Sequence, residues 1–384
     1  MAKYDSDFVD ISSSADVKKA YGRERRSEPN KRKSKGAARR VVVLVLSMLM
    51  LLVGSGLVYY YQVLNSINYK ELEPVATQPV QNTSESTTVS VKSGGATLLS
   101  SDNVLNILLF GQDYTSENEK YGRSDTTILL SIDNVNKKLK LTSFQRDTYV
   151  HIPGYGDNKI NSAFSLGGER LAIDTIETNF GIKVDKYATV DFGSFREIIG
   201  VLGGVDIELN LEEIEYINAQ IEVNDQLDRT SYLQYDPTKE LQVMHLDGYQ
   251  ALWYARDRGE ENLGGNPDYS FSGDDWDRTQ RQRKLIDTVI KDLRTNASLT
   301  ELVAIANKIG PLVTTNLKKG DITFLISNMM TYIGYDLVDL SLPTTGNWRY
   351  GRTDDGQSVI VVDNWDGVRK DVANFIYESA VSGS

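Results

Sequence analysis

Between Arg40 and Lys70 the chain carries no charged residue, and the first part of that gap, Val41–Tyr61, reads VVVLVLSMLMLLVGSGLVYYY. About 20 apolar residues are enough to cross the hydrocarbon core of a bilayer as one helix, which satisfies its own backbone groups where no water can. Three tyrosines, Tyr59 to Tyr61, close the run and suit the aromatic belt of a membrane interface. The basic cluster KRKSKGAARR lies just before it. The positive-inside rule then places residues 1–40 in the cytoplasm and the bulk of the chain outside. A cleaved signal peptide is the rival, but the apolar run is long for one and a polar lead of forty residues is unusual. The reading is an uncleaved signal anchor: a single-pass cell-membrane protein with a cytoplasmic N-terminus and an extracellular C-terminal domain.

Charge divides along the same line. Residues 1–40 hold twelve Lys and Arg against six Asp and Glu, whereas the whole chain nets −11. A basic tail without apolar periodicity is expected to be disordered and to serve topology and contact with anionic lipid. It offers no recognition helix, and the large domain is placed across the membrane from it, so no nucleic-acid partner is expected. Residues 62–101, with QPVQNTSESTTVSVKSGG, read as a flexible linker. Residues 102–384 then form one extracytoplasmic domain with a C-terminal helical extension.

There is no cysteine, which excludes disulfides, thiolate catalysis and Cys-zinc sites. His151 and His245 are the two histidines, too few for a multi-histidine metal centre or a charge-relay network around several of them. No GxGxxG and no GxxxxGK[ST] occurs, so a nucleotide site is not indicated. The chemistry falls to Asp, Glu, Arg, Lys, Tyr, Ser or a bound metal.

Within the domain, Val104–Gly111, Thr126–Ile132 and Leu139–Phe144 read as neighbouring strands, the last two paired through a turn at Asn134–Lys137. A helical pattern runs from Lys159–Asn161 to a stop at Gly181. Strands follow at Tyr187–Phe192, Val205–Leu209, Leu337–Leu342 and Val359–Val362. Helices are expected at Phe195–Leu202, Leu211–Asp225, Asp247–Leu252, Trp276–Arg294, Leu299–Val313, Asp321–Tyr335 and Trp365–Ala380. This alternation argues α/β: an α/β/α sandwich with a central mixed β-sheet, preceded by the N-terminal transmembrane helix.

Four constellations could carry chemistry. Asp113, Arg123 and Asp125 flank apolar strands, where sheet-end loops build sites. Two carboxylates with few histidines suit a hard cation such as Mg²⁺, and they equally suit turn aspartates with a surface ion pair. Arg146–Asp147 ends the strand LKLTSF; an arginine there must snorkel or pair. Five arginines, Arg256, Arg258, Arg278, Arg281 and Arg283, fall between Trp253 and Arg283. In extended chain Arg256 and Arg258 face one way. The apolar stripe Leu285, Val289, Leu293 runs backwards into Gln282, Arg281 and Arg278, so a core-facing stripe turns cationic at a helix N-terminus, which already favours anions. Asp275 could cap that helix or orient an arginine. Lys159 and Asn161 open another helix, as phosphate contacts or as caps.

In order along the chain stand GRSDTT (122–127), SFQRDTYVHIP (143–153), KINSAF (159–164), YATVDFGSF (187–195), VLGGVDIEL (201–209), LDGYQALWYARDR (246–258) and DWDRTQRQ (275–282). With the anchor topology, these resemble the LytR-CpsA-Psr family of Gram-positive cell-envelope proteins over roughly residues 104–295. One departure is Gln145, where the family usually has proline before the Arg-Asp pair; a change in backbone stiffness is the expected consequence. The resemblance implies a phosphotransferase that moves a glycopolymer from a polyisoprenyl-pyrophosphate carrier to a peptidoglycan hydroxyl as a phosphodiester, the polymer being teichoic acid, capsule or a rhamnose-rich polysaccharide. It implies Mg²⁺ on Asp113 and Asp125, and a pyrophosphate grip by Arg123, Arg146, Arg256, Arg258 and Arg278. Asp275 and Gln282 would orient those arginines, and the lipid would lie in an apolar tunnel. Asp147 and Asp275 are both candidate general bases, and a substrate-assisted route stays open. Phosphoryl transfer asks for positioning and charge neutralisation, which arginines and a cation supply without cysteine or histidine.

Overall fold

The computed structural model describes residues 65, 67–72, 91–93, 96–113, 121–225 and 231–378. The expected cytoplasmic tail and membrane span lie outside the described residues. Among the described residues no helix is long and apolar enough to cross a membrane.

The strands are β1 (Asn68–Tyr69), β2 (Val91–Ser93), β3 (Ala96–Leu98), β4 (Val104–Asp113), β5 (Arg123–Asp133), β6 (Lys138–Phe144), β7 (Thr148–Ile152), β8 (Gly156–Lys159), β9 (Lys186–Asp191), β10 (Val205–Asn210), β11 (Leu241–Leu246), β12 (Thr314–Thr315), β13 (Asp336–Leu342), β14 (Trp348–Arg352) and β15 (Ser358–Val362). The α-helices are α1 (Ser162–Phe180), α2 (Phe192–Leu202), α3 (Leu211–Gln220), α4 (Gly248–Arg256), α5 (Asp275–Asn296), α6 (Leu299–Ile309), α7 (Lys319–Tyr332) and α8 (Trp365–Ile376).

A seven-stranded sheet in the order β1-β12-β9-β4-β5-β6-β13 forms the centre. It is mixed: β4–β5 and β5–β6 pair antiparallel, β4–β9 and β6–β13 parallel. Both faces of the apolar strands are covered, as their near-continuous hydrophobicity requires. From β4, Val104, Leu108 and Phe110 join α1 and α8 residues such as Phe164, Ile176, Val372 and Ile376 in one core. Leu105, Ile107 and Leu109 face the other way, with Ile290 of α5 and Tyr332 of α7. A third core gathers α2, α3, α4 and the β10–β11 pair around Leu209, Ile217 and Tyr254.

Among the polar residues sunk in this apolar frame, Asn106 and Lys140 are both paired. Asn106 donates to Lys183 O at 2.8 Å and Tyr377 Oη at 2.9 Å, and accepts from Ser131 Oγ at 2.7 Å. Lys140 is fully buried on β6, 2.7 Å from Asp133 Oδ2 and 2.9 Å from Ile376 O. Asp133 Oδ1 in turn accepts the Val135 and Asn136 N–H groups and so shapes the β5–β6 turn. Burial works against ionised Asp133, but the bonds from Asn136 and Lys140 prevail and hold its carboxyl below the usual range.

Several expectations change. Part of the stretch read as linker is built into the domain: β1 lies parallel to β12, Leu98 is buried, and Leu99 bridges Ile182. The C-terminal region is more than a helical extension. Its strand β13 is an edge of the central sheet, and α8 buries Val368 and Val372 completely. Strands β7, β8, β11 and β14 were not foreseen: β7–β8 and β14–β15 are short local hairpins, β11 pairs with β10 about thirty residues earlier, and β15 also lies parallel to β7, about two hundred residues away. At Gln145 the backbone N–H donates to Leu342 O at 3.0 Å, a bond proline cannot make, while the side chain is fully buried.

The Lys140–Asp133 pair makes the fold testable. Lys140→Ala strands a buried carboxylate and is expected to lower the unfolding free energy by about 3–5 kcal/mol in urea titration. Lys138→Ala, next but one along the strand and at the surface, should leave the midpoint nearly unchanged.

Candidate functional site

Four strand ends meet at one edge of the central sheet. β4, β6 and β9 run towards it and β5 starts from it, so Asp113, Arg123, Asp125, Arg146 and Asp191 are collected there by topology alone. The register contains one irregularity. Gly111 pairs Thr126 and Gln112 pairs Ser124, so Asp125 is the extra residue of a β-bulge. A bulge re-aims a side chain and is a recurrent feature beside active sites. Gly111 permits the close approach: a Cβ there would lie 2.9 Å from Thr126 Cβ.

Arg146 stands in the turn after β6. That turn is held at three successive carbonyls, by Thr148 N to Gln145 O, by Asn161 N to Arg146 O and by Ile360 N to Asp147 O. Its guanidinium reaches Asp125 Oδ1 at 3.1 Å through Nη1 and Asp275 Oδ1 at 3.1 Å through Nε. Arg278, 4% exposed, comes from the first turn of α5. Its Nη2 lies 2.7 Å from Asp275 Oδ1 and donates to Asp125 O at 2.8 Å. Two arginines and two aspartates thus form one closed lattice. Burial alone would lower the Arg146 guanidinium, but Asp275, Asp125 and Asp147 keep it above its usual value. Arg278 is lowered by burial despite Asp275, and Asp275 is raised by burial against the pull of Arg278 and Arg146.

Two cavities touch this lattice. One, of roughly 730 Å³, has apolar walls from Leu109, Ile128, Val190, Phe195, Leu252 and Leu285 and ends on Asp113, Asp125, Arg146, Arg256, Arg258, Arg278 and Gln282. The other, of roughly 510 Å³, is polar: Asp113, Arg123, Asp125, Arg146, Asp147, Lys159, Asn161, Ser162, Arg258 and Gln357 line it. Asp113, Asp125, Arg146 and Arg258 belong to both, so the charged junction lies between an apolar chamber and a polar one. Six cations (Arg123, Arg146, Lys159, Arg256, Arg258, Arg278) and five carboxylates (Asp113, Asp125, Asp147, Asp191, Glu260) line these walls, and Asp275 stands behind them on Arg146 and Arg278. In a chain of net charge −11 the feature that suits an anion is the gathering of five guanidiniums and one ammonium at one place.

The remaining candidates fall into place around it. Arg256 stacks over Phe192 and Trp253, with its guanidinium carbon 4.5 and 5.0 Å from the ring centres. Arg258 is exposed and makes no ion pair with a described residue. Lys159 pairs with Asp147 at 2.7 Å. Asn161 is the N-cap residue of α1, yet its side chain makes no cap bond and lies on the polar wall instead. Gln282 donates to Ala255 O at 3.1 Å, tying the end of α4 rather than an arginine side chain. Asp274, and not Asp275, caps α5, in a capping box with Asp277. That leaves Asp275 free to hold the two arginines.

Two arginines leave the cluster. Arg281 turns to Glu213 and Asp257, and Arg283 to Asp339, because a helix places successive residues 100° apart and cannot aim Arg278, Arg281 and Arg283 at one point. Gln357 was not foreseen; the β14–β15 hairpin brings it in from beyond every motif.

For a divalent cation, Asp113 is the informative residue. It is partly buried without hydrogen bond or ion pair among the described residues. Burial raises its carboxyl, Arg256 pulls it down, and Asp125 pushes it up. A lone carboxylate beside a second one fits a hard cation that takes one or two carboxylates and completes its shell with phosphate oxygens and water. Among the described residues no group of three His, Asp or Glu side chains forms a cage without such help.

Comparison with known proteins agrees with this architecture. Polyisoprenyl-teichoic acid–peptidoglycan teichoic acid transferase TagV of Bacillus subtilis is 31% identical over 216 residues, 55% of this chain and 49% of that protein. Regulatory protein MsrR of Staphylococcus aureus is 30% identical over 216 residues, 56% of this chain and 57% of that protein. The chain therefore spans about half the length of these curated relatives. The solved structure of LytR-CPS2A-psr family protein YwtF (TagT) with bound octaprenyl pyrophosphate lipid has the same fold, with a TM-score of 0.51 at 22% identity over 72% of this chain and 91% of that one. The LytR_cpsA_psr family model matches residues 59–366, and the chain belongs to that family.

Proposed function

We propose that the chain is a membrane-anchored phosphotransferase that moves a glycopolymer from a polyisoprenyl-pyrophosphate carrier to a hydroxyl of peptidoglycan, forming a phosphodiester. The observation that carries this reading is the charged junction shared by an apolar and a polar cavity. A prenyl chain is apolar and its pyrophosphate is doubly anionic or more, which suits a chamber of Leu, Ile, Val and Phe ending on arginines. A sugar hydroxyl suits the chamber of Asp147, Lys159, Asn161, Ser162 and Gln357. The names of the transferase relative and of the lipid-bound structure support the same substrate class.

Arg146 and Arg278 would meet the phosphate oxygens from a geometry already set by Asp125 and Asp275, so little reorganisation accompanies the build-up of charge in the transition state. Arg256 and Arg258 approach from the loop side and Arg123 from the strand. Asp113 and Asp125 would hold Mg²⁺, which neutralises phosphate charge when bound. The acceptor oxygen bonds to the phosphorus on the glycopolymer side as that phosphorus releases its bond to the lipid phosphate, which leaves as polyisoprenyl phosphate. Asp147 lines the polar chamber, paired with Lys159, and would take the hydroxyl proton there. Asp275 does not line it and is engaged by two arginines, so its part is positioning.

Full-length protein in detergent, given lipid-linked polymer, Mg²⁺ and a peptidoglycan oligomer, should release a covalent conjugate. Arg146→Ala and Asp125→Ala should each cut turnover at least about a hundredfold, with circular dichroism showing the fold retained. Chelation with EDTA should abolish product and added Mg²⁺ restore it. Lipid binding without conjugate in the wild type would make the chain a carrier-binding protein and sink the transferase reading.

A further inference from the structure

Arg256 and Arg258 depend on a residue that points away from them. Asp257 between them is 3% exposed, with extended backbone (φ −58°, ψ 122°), so its two neighbours project together to the cavity side while its own carboxylate goes inward. All the polar groups of Asp257 are engaged in fixing that turn. Its N–H donates to Trp253 O at 3.0 Å, and its Oδ1 accepts the Gly259 N–H at 3.0 Å. Its Oδ2 and its carbonyl oxygen both meet Arg281, each at 3.1 Å. Arg281 uses its third nitrogen, Nε, on Glu213 Oε1 at 3.0 Å, and the other Glu213 oxygen accepts Asn210 N at 3.1 Å. The loop that follows is closed at its base. Gly259, at φ +71°, meets Gly273, and an added Cβ would stand 2.6 Å from Gly273 N.

We propose that Glu213, Arg281 and Asp257 are positioning residues that hold Arg256 and Arg258 as a preset pair for the pyrophosphate, without touching substrate themselves. This rests on the pyrophosphate reading above. A guanidinium is needed because three N–H groups in one plane bind two carboxylates and a carbonyl at once; an ammonium has a single nitrogen and cannot span them. Fixing the turn matters most for Arg258, which is exposed and has no partner among the described residues to orient it. The arrangement is held under tension: burial pushes the Asp257 carboxyl up to about 6, with Arg281 opposing, so the carboxylate relies on that arginine to stay ionised.

The test compares two ligands on full-length protein in detergent: a prenyl pyrophosphate and the prenol of equal length. Tryptophan fluorescence gives both affinities, and thermal unfolding is followed in parallel. Wild type should prefer the pyrophosphate. Arg281→Lys should lose about ten- to a hundredfold of that preference while binding prenol as wild type does, the range typical when a supporting contact behind a ligating group is removed. Glu213→Gln, which keeps one oxygen for Arg281 and turns an amide NH2 toward the Asn210 N–H, should lose less and decides the matter if Arg281→Lys does not fold. A folded Arg281→Lys with the wild-type preference would reduce the network to a tie between helices. A wild type without any preference overturns the pyrophosphate reading itself, and the positioning role with it.

Discussion

The junction depends on a lattice of four charges: Asp125, Arg146, Asp275 and Arg278. Burying a guanidinium as deeply as Arg278 costs several kcal/mol in lost hydration, and only close partners of opposite charge offset it. Each member here has two partners, from strand, turn and helix, so none can move without exposing another's cost. The lattice therefore does two things at once. It joins the N-terminus of α5 to the edge of the sheet, and it presents arginine nitrogens to the cavities in a fixed geometry. A buried ion network is a weak source of net stability and a strong source of definite geometry, which is what an anion site requires.

Around that lattice the molecule separates two environments. The apolar chamber lies on the sheet face of Leu109 and Ile128, beneath α2, α4 and α5. The polar chamber is closed by β8 and the β14–β15 hairpin. A prenyl tail in the first would gain about 0.8 kcal/mol for each CH₂ removed from water, so affinity would come chiefly from the tail and register from the charges. That division lets a single lattice of charges orient a large substrate without carrying the whole binding energy. The capping of α5 by Asp274 contributes too, since it frees Asp275, one residue later, for the arginines.

Much of this was legible because it is local. Apolar strands bounded by Gly and Asp, helix stops at Gly181 and Gly203, and the cationic start of α5 are patterns within a window of a few residues. The contributions that were misread are those set by register. The bulge that turns Asp125 is a property of two strands, not of GRSDTT. Arg281 and Arg283 carry the same side chain as Arg278, yet helical phase sends them to Glu213 and Asp339 instead. Asn161 occupies a cap position without making the cap bond, because the polar wall is where its side chain lies. Gln357 could not be found at all, since nothing near it in sequence belongs to the site.

By itself the sequence determined the residue types available for chemistry, the α/β alternation, and the chain order of the aspartates and arginines. Composition and hydrophobic period are one-dimensional, and they are enough for those conclusions. Only the tertiary structure decided which charges meet. Antiparallel and parallel pairing brings four strand ends to one edge, and a helix phase selects Arg278 over its neighbours. A hairpin from the far end of the chain then completes a second cavity. Those choices depend on the register between distant segments, and register is settled by packing both faces of the sheet, which no local window contains.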